Sequence, residues 1–309
     1  MTRYDIVSLG DVNMDYVVAR NLEFPLSSLV QNGLICWEDI NETPGGSGLN
    51  FCAFAAEAGY RCLLLGKVGK DSAGPAITKW LKARRIAMPR RWTTSDPTGK
   101  ALIMRDSMDI RLVINNKHNA NHALDVDDVA RHKSALTSCR VLYVSGYCIS
   151  ELRMARYQAA LQAMAWAKAG RHPPSVVFDT VPHRIYERLT FEQFRNCTQH
   201  VDILISEVAT MRRFLGLGSK TEIIDLAIAQ DTAERVRQYY PRVVLRYGPS
   251  GCDEEILIGS DVGGCVHRAT GHAHAADKRG YGDRLALIAL RDVFRVLPTA
   301  QPSSPSLPI

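Results

Sequence analysis

Asp277-Lys278-Arg279-Gly280-Tyr281-Gly282-Asp283 is a turn with two glycines at the start of a helix predicted over residues 281–296. The glycines allow a tight turn in which consecutive backbone N–H groups point at one spot, and the helix adds its positive N-terminal end. Asp283 falls in the first helical turn, where its carboxylate can accept a hydroxyl proton. The segment suits phosphoryl transfer, but its residues are also compatible with a plain glycine turn that opens a helix.

A second glycine-rich turn, Pro44-Gly45-Gly46-Ser47-Gly48, precedes a helix predicted over residues 49–59. The glycine pair would let a ligand lie close to the backbone. Asn50, directly after the turn, can both donate hydrogen bonds to sugar hydroxyls and accept them. Taken alone, Gly45-Gly46 is better described as an ordinary loop.

The N-terminal strand ends in Gly10-Asp11-Val12-Asn13-Met14-Asp15. A carboxylate such as Asp15 can bridge two vicinal sugar hydroxyls, because both hydroxyls donate. Asn and Asp are also common in turns that follow a strand, so a purely local role stays open.

Strands and helices alternate along most of the chain. Strands are predicted over 5–9, 62–66, 140–145, 175–179, 202–205 and 242–246, and the helices between and after them over 49–59, 74–84, 151–169, 208–215 and 281–296. This alternation predicts an α/β fold with three layers, in which helices cover both faces of a mostly parallel sheet. The extended segments within about 16–42 and 98–119 do not fit the alternation, and they predict a small β-sheet lid.

Together these motifs resemble those of the ribokinase-like (PfkB) family of carbohydrate and nucleoside kinases. The segment 277–283 resembles the family's second signature, and 44–50 with Ala58-Gly59 and 66–74 resembles the first. Arg246-Tyr247-Gly248-Pro249-Ser250-Gly251 is similar to the turn on the family's nucleotide side. The resemblance covers about residues 4–297 and implies one kinase domain over 1–297 with an inserted lid.

The resemblance also implies roles for individual residues. Asp283 is the expected general base, with the backbone of Gly280, Tyr281 and Gly282 forming an anion hole. The acceptor, a sugar or nucleoside, is expected to contact Asn13, Asp15, Gly45, Gly46 and Asn50. Arg246, Gly248, Gly251 and Arg279 are expected at the nucleotide, and Glu207 at a hydrated Mg²⁺ ion. The implied reaction transfers the γ-phosphate of ATP to a primary hydroxyl.

Several positions depart from the family pattern. Tyr281 replaces the usual small residue between the two glycines, and Ser206-Glu207-Val208-Ala209 lacks the family's N-x-x-E pattern in register. Family members also usually continue beyond the final helix, where this chain has a proline- and serine-rich segment over 298–309 that predicts a disordered tail. These departures support an alternative, a degenerate member that binds a sugar or nucleoside without efficient phosphorylation.

The amino-acid composition narrows the classes of protein to which the chain can belong. The chain of 309 residues has 46% apolar and 23% charged residues, which is typical of a soluble globular protein. No apolar run reaches the roughly 18 residues of a membrane span, and the N-terminus does not resemble a signal peptide, so a cytoplasmic location without membrane contact is expected. The net charge of +6 is spread without a long basic run, which argues against nucleic-acid binding. Exposed lid strands predict a homodimer formed through the lid.

Overall fold

The computed structural model describes residues 4–23, 25–26, 37–107, 111–181, 184–218, 223–247, 255–259, 265–267 and 280–298. The strands in these ranges are β1 (Ile6–Leu9), β2 (Asn13–Val18), β3 (Ile40–Gly45), β4 (Cys62–Leu65), β5 (Val68–Gly69), β6 (Thr93–Thr94), β7 (Gly99–Arg105), β8 (Arg111–Asn115), β9 (Val141–Ser145), β10 (Ser175–Asp179), β11 (Ile203–Glu207), β12 (Arg242–Tyr247), β13 (Glu255–Gly259) and β14 (Cys265–His267). The helices are α1 (Ser47–Glu57), α2 (Ala73–Ala83), α3 (Val126–Ala130), α4 (Lys133–Ser138), α5 (Ala155–Lys168), α6 (Phe191–Cys197), α7 (Val208–Phe214), α8 (Leu226–Arg237) and α9 (Tyr281–Ile288). A π-helical segment, Ala289–Val293, continues α9.

The larger sheet has the strand order β14-β13-β12-β11-β10-β9-β1-β4. Six neighbouring strands, from β12 to β4 in that order, are parallel, and β13 and β14 add an antiparallel edge. Parallel strands are buried on both faces, and all five residues of β9, Val-Leu-Tyr-Val-Ser, are accordingly buried. β1 lies between β4 and β9, so connections leave it in both directions and open a crevice at its carboxyl end.

Apolar side chains pack on both faces of this sheet. On one face, strand residues such as Val7 and Phe178 join a core with the apolar sides of α3 to α8. On the other face, residues such as Ile6 and Tyr143 pack with α1, α2 and α9. The alternation of side chains along each strand produces the two cores. The structure therefore has the three layers that the alternating pattern predicts.

A smaller sheet forms the lid, with the strand order β3-β2-β7-β8. β2 pairs antiparallel with β3 and parallel with β7, and β7 pairs antiparallel with β8. Its strands come largely from the two predicted lid segments, although β2 already begins at Asn13 and β3 continues to Gly45. This earlier start places Asn13 and Asp15 in the lid sheet itself.

Some predicted bounds differ from the structure. The helix predicted from residue 151 begins at Ala155, because residues 151–154 form turns and Met154 has an extended backbone. The helix predicted over 281–296 is α-helical only to Ile288 and then widens into the π-helical segment. The predicted tail lies, except for Pro298, outside the described residues. No helix among the described residues is long and apolar enough to cross a membrane.

Candidate active site

A cleft of about 470 Å³ lies between the carboxyl end of the large sheet and the lid. Ligands bind in this position in open parallel sheets, where connections diverge from a central strand. Its lining is mainly polar and includes the predicted residues Asn13, Asp15, Gly46, Asn50, Gly280 and Asp283. The structure therefore brings residues from both ends of the chain to one cavity.

Asp283 lies at the bottom of this cleft, in the first turn of α9. Gly280 precedes the helix with φ of 65°, a left-handed conformation that favours glycine. The first N–H groups of a helix lack intrahelical acceptors, so the backbone of residues 280–282 can supply the predicted anion hole. The side chain of Tyr281 lies outside the part of the chain that the structure describes.

The Asp283 carboxyl group is almost completely buried, with a residue exposure of 6%. Burial and the neighbouring Asp179 carboxylate raise its pKa to about 8, although hydrogen bonds from Tyr143 and Asn50 oppose that rise. A carboxyl group with a pKa this close to neutrality can exchange protons at physiological pH, which a general base requires.

Tyr143 connects two carboxylates on neighbouring elements. Its hydroxyl oxygen lies 3.1 Å from Oδ1 of Asp283 and 3.3 Å from Oδ2 of Asp179. Phe51 stacks on the tyrosine ring at a centroid distance of 3.9 Å and an interplanar angle of 6°, which fixes the ring. Burial and both carboxylates hold the pKa of Tyr143 well above its usual range, so the phenol keeps its proton.

Arg246 completes this buried group from β12. Its Nη2 atom lies 3.6 Å from Oδ1 of Asp179. A methyl group at position 282 would collide with the guanidinium, so only glycine allows the cation to lie against the predicted anion hole. Arg246 thus places a cationic group directly against the turn at residues 280–282.

The lid side of the cleft contains Asn13 and Asp15 on β2. Asp15 is buried, and its carboxylate lies so close to Gly45 that any side chain at position 45 would collide with it. Asn13 accepts a hydrogen bond of 2.9 Å from the amide of Asn121. Gly46 adopts φ of 97° at the start of α1. The two turns predicted to bind the acceptor are therefore packed against each other.

An ion pair closes the inner end of the cleft. Nη1 of Arg156 lies 3.1 Å from Oδ1 of Asp11, and both side chains are largely buried. Burial raises the pKa of Asp11, while the Arg156 charge lowers it. Toward the rim, Nζ of Lys100 lies 3.5 Å from Asp71. Cationic side chains thus line the cleft, but these two already have carboxylate partners.

Glu207 is the last residue of β11 and the residue before α7. In the strand register it lies opposite Arg246 of β12, at the same sheet edge as Asp179, but it is not among the described residues that line the cleft. No group of three or more His, Cys, Asp or Glu side chains in the described ranges could hold a metal ion. Mg²⁺ usually takes only one or two protein carboxylates and completes its shell with phosphate and water, so a single Glu207 carboxylate fits that mode.

Three predicted nucleotide-side residues, Gly248, Gly251 and Arg279, lie outside the described residues.

The sequence did not predict several other residues of the site, above all Asp179, Tyr143 and Arg156. Asp179 did carry a signal, since it is a charged residue at the carboxyl end of a buried strand. Tyr143 carried a weaker signal, because a tyrosine hydroxyl within an apolar strand needs a buried hydrogen-bonding partner.

Comparisons with known proteins agree with the fold of this chain. Residues 4–253 match the model of the pfkB family carbohydrate kinases. Solved structures with a similar fold include a probable sugar kinase from Rhizobium etli CFN 42 (TM-score 0.76, 17% identity, covering 97% of this chain and 89% of that chain) and adenosine kinase from Sinorhizobium meliloti (TM-score 0.74, 17%, 92% and 86%). A putative ribokinase II from E. coli, solved with ATP and Mg²⁺, is also similar (TM-score 0.70, 17%, 95% and 89%). No curated protein matches the sequence significantly. The ribokinase-like fold with a small lid is confirmed.

Proposed function

Because the chain belongs to the pfkB family of carbohydrate kinases, we propose that it transfers the γ-phosphate of ATP to a primary hydroxyl of a sugar or nucleoside. The observation that carries this proposal is the position of Asp283. Its buried carboxyl group lies at the bottom of a polar cleft and beside a glycine turn at a helix N-terminus. A base and an anion-stabilising turn at one point are what phosphoryl transfer needs.

In the proposed reaction the acceptor hydroxyl lies within hydrogen-bonding distance of Asp283. The ionised carboxylate accepts the hydroxyl proton as the oxygen attacks the γ-phosphorus atom, and the bond from that phosphorus to the bridging oxygen breaks so that ADP leaves. The backbone of Gly280, Tyr281 and Gly282 and the guanidinium of Arg246 stabilise the charge on the phosphoryl oxygens. Because the pKa of Asp283 is raised to about 8, the ionised fraction in the ligand-free protein increases as the pH rises toward 8.

Donor and metal have distinct places in this proposal. Gly248, Gly251 and Arg279 are proposed at the nucleotide together with Arg246, and Glu207 is the carboxylate proposed to hold a hydrated Mg²⁺ ion. When bound with ATP, the metal neutralises phosphate charge. A solved relative, the putative ribokinase II, is described with both ATP and Mg²⁺.

The acceptor is proposed to bind across the lid side of the cleft. Asp15 and Asn13 face it from β2, Asn50 from α1 and Gly46 from the turn, while Gly45 lets the Asp15 carboxylate lie against the turn backbone. Asn50 has a second contact, because its side chain also donates a hydrogen bond to Asp283. The same residue can therefore align the base with a hydroxyl of the acceptor.

One observation favours the alternative of a degenerate member that binds ligand with little turnover. The Arg246 guanidinium already lies against Gly282 and is paired with Asp179, in the place proposed for the transferring phosphoryl group. If that pair does not open, the charge it offers to the phosphate is partly neutralised. The two functions therefore differ in turnover and not in acceptor binding.

Acceptor screening separates the two candidates. Nucleosides, ribose, fructose and ketoacid sugars are incubated with ATP and Mg²⁺, and ADP release is measured for the native protein and for Asp283→Asn in parallel. A kinase gives release that depends on one acceptor and on Asp283. Thermal stabilisation by an acceptor, without ADP release, supports the degenerate member. Absence of any stabilisation by a non-hydrolysable ATP analogue with Mg²⁺ would contradict the kinase proposal.

A further inference from the structure

The buried carboxylate Asp179 and the hydroxyl of Tyr143 have no part in the proposed reaction itself. Both nevertheless lie directly beside Asp283, with Tyr143 between the two carboxyl groups at 3.1 and 3.3 Å. Asp179 is only 1% exposed, and Tyr143 is completely buried. Polar groups buried this deeply need a specific reason, because each loses its hydration on folding.

The phenolic hydroxyl carries one hydrogen and can donate it to only one carboxylate at a time. Two ionised carboxylates on either side of one oxygen also repel each other in a medium that screens charge weakly. The arrangement is therefore stable with a proton on one of the two carboxyl groups. A proton on Asp283 leaves the other carboxylate charged, and a proton on Asp179 does the reverse.

The surrounding charges decide between these two states. Arg246, from β12, lies 3.6 Å from Asp179 and favours a charged carboxylate there. Asn50, from α1, donates a hydrogen bond to Asp283, and Tyr147, whose hydroxyl keeps its proton at neutral pH, adds no charge. Asp179 therefore opposes the ionisation of Asp283 and raises its pKa, while the donors on Tyr143 and Asn50 support that ionisation.

We propose that Tyr143 and Asp179 are positioning residues that act on Asp283 in opposite senses, Tyr143 holding its carboxylate in the charged form and Asp179 opposing that charge. The proposal rests on the proposed role of Asp283 as the base. Phe51, stacked at 3.9 Å on the tyrosine ring, keeps the hydroxyl between the two carboxyl groups. Together the two residues set the pH at which the base becomes ionised.

The test is a pH titration of the Asp283 carboxyl carbon by ¹³C NMR in protein labelled at aspartate, with the signal assigned by its loss in Asp283→Asn. The variants are Tyr143→Phe and Asp179→Asn. Tyr240→Phe is the matched control, because it removes another buried tyrosine hydroxyl, which lies 2.6 Å from Thr198 and belongs to the core on the opposite face of the sheet from Tyr143. No substrate is needed, so the result does not depend on finding the acceptor.

Loss of the donor in Tyr143→Phe is expected to raise the midpoint of Asp283 by about half a pH unit or more. Loss of the opposing charge in Asp179→Asn is expected to lower it by about one unit or more. Tyr240→Phe should leave the midpoint where it is. Midpoints that move in the same direction, or no further than in the control, would overturn the proposal. If Asp179→Asn does not fold, the pair Tyr143→Phe and Tyr240→Phe decides alone.

Once an acceptor is known, the acid limb of the kcat/KM profile should move with the same sign in each variant, because that limb reports ionisation of the base in the free enzyme. KM at high pH should stay within about twofold, since neither residue contacts the acceptor. Shifts seen by NMR but without any turnover would uphold the network and contradict the kinase function. Turnover in which the acid limb does not move in either variant would uphold the kinase function and contradict the proposed network.

Discussion

The two sides of the cleft are built in different ways. On the sheet side, the Tyr143 hydroxyl contacts both Asp283 and Asp179, and Arg246 pairs with Asp179. Three strands and one helix that are distant in sequence therefore contribute to one buried cluster of polar side chains. On the lid side, Asn13 and Asp15 belong to one short strand, and the facing turn contains adjacent glycines. The sheet side is suited to setting the charge of one reacting group. The lid side is suited to contacting several hydroxyls of an acceptor, and changes on the two sides should therefore affect different kinetic constants.

Asp283→Asn is expected to give the largest effect and to separate the two sides most clearly. The shape of the side chain is kept and only proton acceptance is lost, so kcat should fall by about 10² to 10⁴. Acceptor binding, measured by calorimetry, should stay nearly unchanged, because the lid residues are intact. Near-normal turnover in this variant would remove Asp283 from the role of base.

The same variant should change how stability depends on pH. The pKa of Asp283 is raised to about 8 in the folded protein from 3.8, so the folded state binds an extra proton between these values. The stability contributed by that proton is fully present below the unfolded pKa and is lost as the pH rises through about 8. Asp283→Asn cannot ionise, and its unfolding free energy should gain on the order of 4 kcal/mol relative to the native protein between pH 5 and 8.

Urea unfolding of both proteins at several pH values measures this difference. The comparison of the two proteins cancels the titration of histidines and other shared groups. A constant difference in unfolding free energy across the pH range would mean that Asp283 titrates with an ordinary pKa, and the sheet side would then lose its special electrostatic character.

On the lid side, Asp15→Ala is expected to raise the acceptor KM while kcat changes less. The unpaired hydroxyls left in the closed site should cost on the order of 1–3 kcal/mol, which is about 5- to 150-fold in KM. Asn50→Ala should raise KM by a similar factor, but it should also lower kcat, because Asn50 hydrogen-bonds Asp283. An unchanged KM in both variants, measured with the best acceptor, would place the acceptor pocket elsewhere.

The contrast between the two sides also explains what the sequence could predict. Strand and helix alternation predicted the layered sheet, because apolar periodicity is a local property that each segment carries by itself. The glycine turns at 45–46 and 280–282 were also visible, since close backbone approach requires glycine. By comparison, Tyr143 and Asp283 are 140 positions apart, and no local pattern indicates that their side chains meet. Several helices that were not predicted, such as α3, α4 and α6, have only five to seven residues, too few to show a helical period.

The smallest effect on catalysis is expected from the outer face of the lid. Alternation along β8 turns Val113 toward the cleft and leaves Ile114 on the opposite face, where it is 51% exposed. Ile40 and Trp37, also exposed, lie in and beside the lid strand β3. An apolar sheet face open to water is a favourable surface for a second copy, and a two-fold dimer would cover both lids at once.

Sedimentation at a protein concentration of about 10 µM, at which moderately stable homodimers stay associated, tests this dimer. The native protein should sediment as a dimer and Ile114→Asp as a monomer. Ile223→Asp is the matched control, because Ile223 is 87% exposed and lies outside the lid, and it should remain dimeric. Turnover per subunit should change less than about twofold in both variants, since Ile114 and Ile223 are not among the described residues that line the cleft. A native protein that sediments as a monomer would contradict the lid dimer, whereas a large loss of turnover in Ile114→Asp alone would mean that pairing of the lids holds the acceptor side of the cleft in place.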